Sequence, residues 1–222
     1  MCGRFTITLQ ADEVREFLRL GEMPPDWQPR YNIAPNQAVA AVLDATSRRV
    51  DWLRWGLIPS WAKDPAIASN LINARAETLS EKPAFRSALA RRRCLILADG
   101  FYEWQKPVSG RGPSLPYYFT LANRRPFALA GLWESWQPPE SSEPLRTCTI
   151  ITTSANSLVE LVHARMPVIL TGEALWQWLA DPSAAPRLLS AYPAAEMAAY
   201  PVSRLVNTPG NDQPELIAPV QE

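Results

Sequence analysis

Hydrophobic and polar positions alternate over residues 3–9, with Phe5, Ile7 and Leu9 set against Thr6 and Thr8, and this two-residue period predicts a strand. Residues 12–20 switch to helical spacing. Val14, Phe17 and Leu18 fall on one face, and Asp12 and Glu13 sit in the first turn, where a carboxylate favours a helix start. Residues 38–43 and 50–55 read as strands around a turn at Asp44–Arg49. A helix fits 84–92, running into the basic run Arg91–Arg93. Apolar, strand-like segments follow at 94–98, 117–122, 126–133 and 147–153. Residues 105–116 and 137–145 are rich in Pro, Gly and Ser and read as loops, and 173–180 as a short amphipathic helix. Prolines are spread along the chain and break any long helix. No internal repeat and no long linker is visible. The pattern predicts a single α+β domain, residues 1–222, with a curled, barrel-like β-sheet core flanked by short helices.

The chain has 222 residues, 47% of them hydrophobic, which is enough to bury a real core and argues against disorder. No apolar run approaches the roughly 18 residues of a membrane helix. The N-terminus lacks a signal-peptide layout. A cytoplasmic protein with no membrane partner is expected. Net charge is zero, so bulk electrostatics announce no nucleic-acid partner. The basic residues are nevertheless nearly all arginine, with lysine only at 63, 82 and 106. Arginine suits bidentate phosphate contact and base stacking, although a GC-rich genome would give the same bias. The three cysteines, Cys2, Cys94 and Cys148, have neither disulfide nor zinc-site spacing. Cys94 and Cys148 lie in apolar or alternating runs and are expected in the core. Neither a metal nor a cofactor is implied.

Four positions carry candidate chemistry. Met1-Cys2-Gly3 permits removal of the initiator methionine, since cysteine is small, and this would leave an amine and a thiol on adjacent carbons of Cys2. The α-amine has a pKa of roughly 7.7–8.0 and is partly neutral near pH 7. A 1,2-aminothiol condenses with an aldehyde, first as a Schiff base and then as a five-membered thiazolidine closed within the same molecule. Asn73 lies in Asn-Ala-Arg-Ala-Glu, a weak signal alone. Glu103 sits among aromatic residues in Gly-Phe-Tyr-Glu-Trp, where the charged carboxylate is disfavoured and a proton-transfer role becomes possible. His163 is the single histidine, the side chain that exchanges protons near neutrality. Taken one at a time, each also fits a structural role.

Together the blocks resemble the SRAP family, the abasic-site-processing proteins of bacteria and eukaryotes. The match runs nearly end to end. It takes in Cys2-Gly3-Arg4-Phe5, Tyr31-Asn32-Ile33-Ala34-Pro35, Trp55 to Trp61, Asn73 to Thr78, Ala98 to Trp104, Ala130 to Trp133, Thr149 to Thr153, and His163 with Arg165-Met166-Pro167. The chain departs from the pattern at Ala164, where the family usually has aspartate. The resemblance implies a covalent thiazolidine crosslink between Cys2 and an abasic site in single-stranded DNA, shielding the site from strand cleavage as part of the SOS response to DNA damage. It also implies an associated autopeptidase or lyase activity. Asn73 would hold the Cys2 amine or the adduct, Glu103 would shuttle a proton, and His163 would assist at the sugar oxygen or in reversal. Arg4, Arg75 and Arg165 would contact phosphates, with Pro35, Trp61 and Trp104 near the bases. A monomer is expected. Two other readings stay open at this point: a non-covalent single-strand binder, and an N-terminal nucleophile amidohydrolase, a class that also includes members beginning Met-Cys-Gly.

Overall fold

The structure is a computed structural model that describes residues 2–107, 109–139 and 141–220. In chain order its strands and helices are β1 (Arg4–Ile7), α1 (Ala11–Leu18), β2 (Arg30–Ile33), β3 (Ala38–Val42), β4 (Val50–Trp55), β5 (Asn73–Arg75), α2 (Pro83–Arg91), β6 (Arg93–Ala98) and β7 (Gly100–Gln105). They continue with β8 (Leu115–Leu121), β9 (Phe127–Trp136), β10 (Leu145–Ser154), β11 (Arg165–Pro167), β12 (Ile169–Leu170), α3 (Glu173–Ala180), α4 (Ala185–Leu188) and β13 (Met197–Pro201). Short 3-10 turns join several of these.

Strands β10, β4, β3, β6 and β9 pair in that order, and β9 pairs back onto β10, so five strands close into a mixed barrel. Closure removes the exposed edges that an open sheet presents. β10 pairs in parallel with β4 and with the short β5 beside it. Every residue of β6 is buried, because one face fills the barrel and the other is covered by helices. The Trp178 indole of α3 donates to the Cys94 carbonyl at 2.9 Å, and the Arg93 guanidinium donates to the Leu89 and Leu179 carbonyls. Cys94 and Cys148 are fully buried and unbridged, as their apolar runs suggest.

A second sheet has the order β13-β8-β7-β1-β2, antiparallel throughout. It packs on the barrel through Phe5 of β1, whose ring meets Trp55 of β4 edge-on at 5.2 Å. The Asp99-Gly100 pair carries the chain from one sheet to the other. Asp99 N–H donates to the Thr6 carbonyl, and its carboxylate accepts from the Thr6 and Thr8 hydroxyls. β7 follows at once and contains the Phe-Tyr-Glu-Trp segment. Strand β1 is also shorter than the alternation over 3–9 suggests, and its Thr6 is fully buried because it is committed to Asp99. In α1, Val14 and Leu18 are buried as expected, but Phe17 is 46% exposed beneath the Arg125 guanidinium. Among the described residues no helix is long and apolar enough to cross a membrane.

Gly131 lies where β9 passes between β6 and β10, opposite both Cys94 and Ile150. A Cβ there would stand 2.8 Å from Cys94 Sγ, 2.9 Å from Ile96 Cδ1 and 3.0 Å from the Thr149 carbonyl oxygen. Gly131→Ala is therefore expected to destabilise the fold by roughly 1–3 kcal/mol through overpacking, read as a lower urea midpoint. An unchanged midpoint would show that the barrel relaxes around the added methyl.

Candidate functional site

Four separate segments bring the candidate residues to one place. Cys2 stands two residues before β1, Asn73 opens β5, Glu103 lies in β7, and His163 stands two residues before β11. β1 and β7 pair with Arg4 opposite Tyr102, so one further step along this register brings the start of the chain alongside Glu103. β5 reaches the site because Ile150 of β10 pairs with Asn73 in parallel, and because the Trp55 indole donates to the Ile72 carbonyl at 2.8 Å. The Asn73 amide nitrogen donates to the Cys2 carbonyl at 2.8 Å. Its Oδ1 is buried and accepts no hydrogen bond among the described residues.

Burial sets the protonation of the site. Glu103 is 2% exposed, and desolvation pushes its carboxyl up to about 7. Cys2 is fully buried; desolvation, reinforced by the Glu103 charge, pushes its thiol well above the ordinary range. Partial burial lowers the His163 pKa and so favours the neutral imidazole. Its Nδ1 lies 3.0 Å from the Arg165 backbone nitrogen and 3.1 Å from the Arg165 carbonyl oxygen, and the ring's tautomer selects which of the two it pairs with. Nδ1 is 4.0 Å from Glu103 Oε1, beyond direct hydrogen-bond length. The loop carrying His163 is held by Asn156, whose Oδ1 accepts from the Leu158 and Val159 amides.

The DNA-contact candidates divide by environment. Arg75 and Trp61 are exposed, Trp61 by 60%, while Pro35 is half-buried. Trp104 is half-buried, and its indole donates to Asn207 Oδ1 at 2.7 Å. Arg4 and Arg165 are engaged within the protein. Arg4 donates to Asn32 Oδ1 and to the Val206 and Asn207 carbonyls, and Arg165 donates to both carboxylate oxygens of Glu77 and to the Thr152 carbonyl. A groove of about 430 Å³ opens beside His163, lined by Trp104, Gln105, Lys106, Leu161 and Ala164. No group of three or more His, Cys, Asp or Glu side chains able to hold a metal occurs among the described residues.

Sequence reasoning assigned no role to Asn32, yet this buried side chain organises one wall of the site. Its amide donates to the Val206, Thr208 and Asn211 carbonyls, and its Oδ1 takes Arg4. Asp212 accepts from the Tyr31 and Asn32 amides and from Arg30. The only sequence signal was Asn32 inside the Tyr-Asn-Ile-Ala-Pro block.

A family model described as SOS response associated peptidase (SRAP) matches residues 1–209. Abasic site processing protein YoqW of Bacillus subtilis is 48% identical over 226 residues, covering 98% of this chain and 99% of that protein. Abasic site processing protein HMCES of Gallus gallus is 34% identical, covering 100% of this chain and 78% of that protein. A crystal structure of a Bacteroides thetaiotaomicron protein superposes with a TM-score of 0.87 at 26% identity, over 99% of this chain and 100% of that one.

Glu103 gives the site a pH signature. Its folded-state pKa is raised from 4.5 to about 7, so between these values the fold holds a proton that the unfolded chain releases. The associated stability is full below about 4.5 and is lost as pH rises through 7. The neutral isostere Glu103→Gln should therefore be more stable than wild type at pH 8, by up to roughly 3 kcal/mol, with the difference closing toward pH 4.5. Melting curves across this range test it, and parallel pH profiles for the two proteins would contradict it.

Proposed function

The chain belongs to the SRAP family, and on that premise we propose that it processes abasic sites in single-stranded DNA by covalent capture on Cys2 after removal of Met1. The observation that carries this reading is the convergence of Cys2, Asn73, Glu103 and His163 from four distant segments, with Asn73 bonded to the Cys2 carbonyl at 2.8 Å. Relatives named abasic site processing proteins, aligned over nearly the whole chain, supply the substrate class.

The chemistry follows from the protonation states. An abasic sugar exists mainly as a ring hemiacetal and must open to an aldehyde before it reacts. Opening needs a proton delivered to the ring oxygen and one taken from the C1′ hydroxyl. Glu103, titrating near 7, is present in both forms at neutral pH and can do either. The imidazole of His163 lies on the same side of the site and serves the sugar oxygen. The buried thiol is protonated, so the freed α-amine is the first nucleophile. It adds to C1′ and expels water, giving an imine. The thiol then adds to the same carbon, and its proton ends on the nitrogen. The product is a neutral thiazolidine, formed with net loss of one water. Without an iminium as electron sink, β-elimination at the sugar slows and the strand stays whole. The buried Oδ1 of Asn73 supplies an acceptor for the Cys2 amine.

Arg75 and Trp61 are the side chains best exposed for the strand, and the half-buried Trp104 and Pro35 serve the bases; Arg4 and Arg165 serve phosphates once their internal partners yield. Arginine on phosphates and aromatic faces on bases is a general way of holding single strands. We take the protein as a cytoplasmic monomer, the whole of residues 1–222 acting as one SRAP domain.

Intact-mass measurement of the mature protein with an oligonucleotide bearing one abasic site should give the summed masses less one water. In single-turnover reactions Glu103→Gln should slow adduct formation on the order of a hundredfold, the usual scale of a general acid–base group. It should also remove the rate inflection near pH 7. An unchanged rate would exclude Glu103 from proton transfer.

A further inference from the structure

The Glu77 carboxylate holds the Arg165 guanidinium with both oxygens, Oε1 to Nη1 at 2.6 Å and Oε2 to Nη2 at 2.9 Å. A phosphodiester offers a guanidinium the same paired-oxygen geometry. The two partners are unequally exposed, the Arg165 side chain by 17% and the Glu77 side chain by 49%. Arg165 is further fixed by donation to the Thr152 carbonyl at 2.7 Å, so the guanidinium stays in place if the carboxylate swings away. Glu77 lies two residues beyond the end of β5, which carries Asn73 and the exposed Arg75, and Arg165 and Arg75 hold its carboxyl below the ordinary range. The carboxylate thus favours its charged form and is half exposed at the surface. The Arg165 amide also fixes the His163 ring at 3.0 Å, so any exchange of partners on this guanidinium takes place beside the candidate site.

We propose that Glu77 competes with the DNA backbone for Arg165, so that a phosphodiester must displace this carboxylate before the strand seats beside His163. The inference rests on the reading that Arg165 faces DNA phosphate. Glu77 then lowers affinity for every strand alike. A strand without an abasic site is released quickly, whereas one that reacts with Cys2 is retained covalently. Damage selectivity thus comes from weak initial binding followed by capture, and Glu77 sets the first of these.

The test is binding of an intact single-stranded oligonucleotide, measured by fluorescence anisotropy at fixed salt. Because that strand has no abasic site, the result is independent of Cys2 chemistry. Adduct formation by wild type on an abasic strand, run in parallel, tests the covalent reading separately. Glu77→Gln should bind the intact strand about fivefold more tightly, the upper scale of a partly exposed ion pair. In an Arg165→Ala background the same substitution should have no effect, whereas a general gain from removing one negative charge would persist there. Equal, weaker or undetectable binding by Glu77→Gln would overturn the proposal and make Glu77 a structural anchor for Arg165. Persistence of the gain without Arg165 would overturn it as well.

Discussion

The arrangement depends on one hydrogen bond, from the Asn73 amide to the Cys2 carbonyl. It ties the start of the chain, which belongs to the open sheet, to a strand added onto the barrel. Both ends are anchored on Trp55. Phe5, three residues beyond Cys2, is buried against Trp55, and the Trp55 indole holds the carbonyl of Ile72, the residue before Asn73. A chain terminus is ordinarily the least ordered part of a domain. Here Cys2 is placed by pairing, packing and a side-chain bond together, and so can serve as a positioned reactive group.

Placing the terminus inside the fold has an electrostatic consequence. Desolvation is the leading cause of the shift at Cys2, Glu103 and His163, and in every case it favours the neutral form. A site of this kind suits a reaction whose intermediates exchange protons at neutral pH and whose product is uncharged. The same burial destabilises the ionised carboxylate of Glu103, so a cost in stability accompanies its ability to transfer protons. Arg165 and Glu77 face one another across a partly exposed ion pair.

Much of this was legible in the sequence where a single local pattern governs. The apolar runs around Cys94 and Cys148 and the spacing of Val14 and Leu18 translate directly into buried positions, and the runs at 38–43 and 50–55 into strands at Ala38–Val42 and Val50–Trp55. Long-range commitments were not legible. The chain changes sheets at Asp99-Gly100, where Thr6 and Thr8 bind the Asp99 carboxylate, and nothing local reports those partners. Phe17 has core-like spacing but lies under Arg125, which comes from a distant turn. Asn32 holds carbonyls at 206, 208 and 211, more than 170 residues away, and no local signal reports that. Likewise Arg4 and Arg165 were recognisable as cations of the site, but their internal partners emerge only once the chain is folded.

The central claim is that amine and thiol of Cys2 both act on one sugar carbon. It is tested most directly by incubating mature wild type and Cys2→Ala with an abasic single strand, with and without borohydride, and resolving the products on a denaturing gel. Both proteins have a free α-amine and can form an imine, but only wild type has the thiol to close the ring. The account predicts a wild-type adduct that survives denaturation without reductant, and a Cys2→Ala adduct that appears only when borohydride traps the imine. A denaturation-stable Cys2→Ala adduct without reductant, or a wild-type adduct that depends on borohydride, would contradict it.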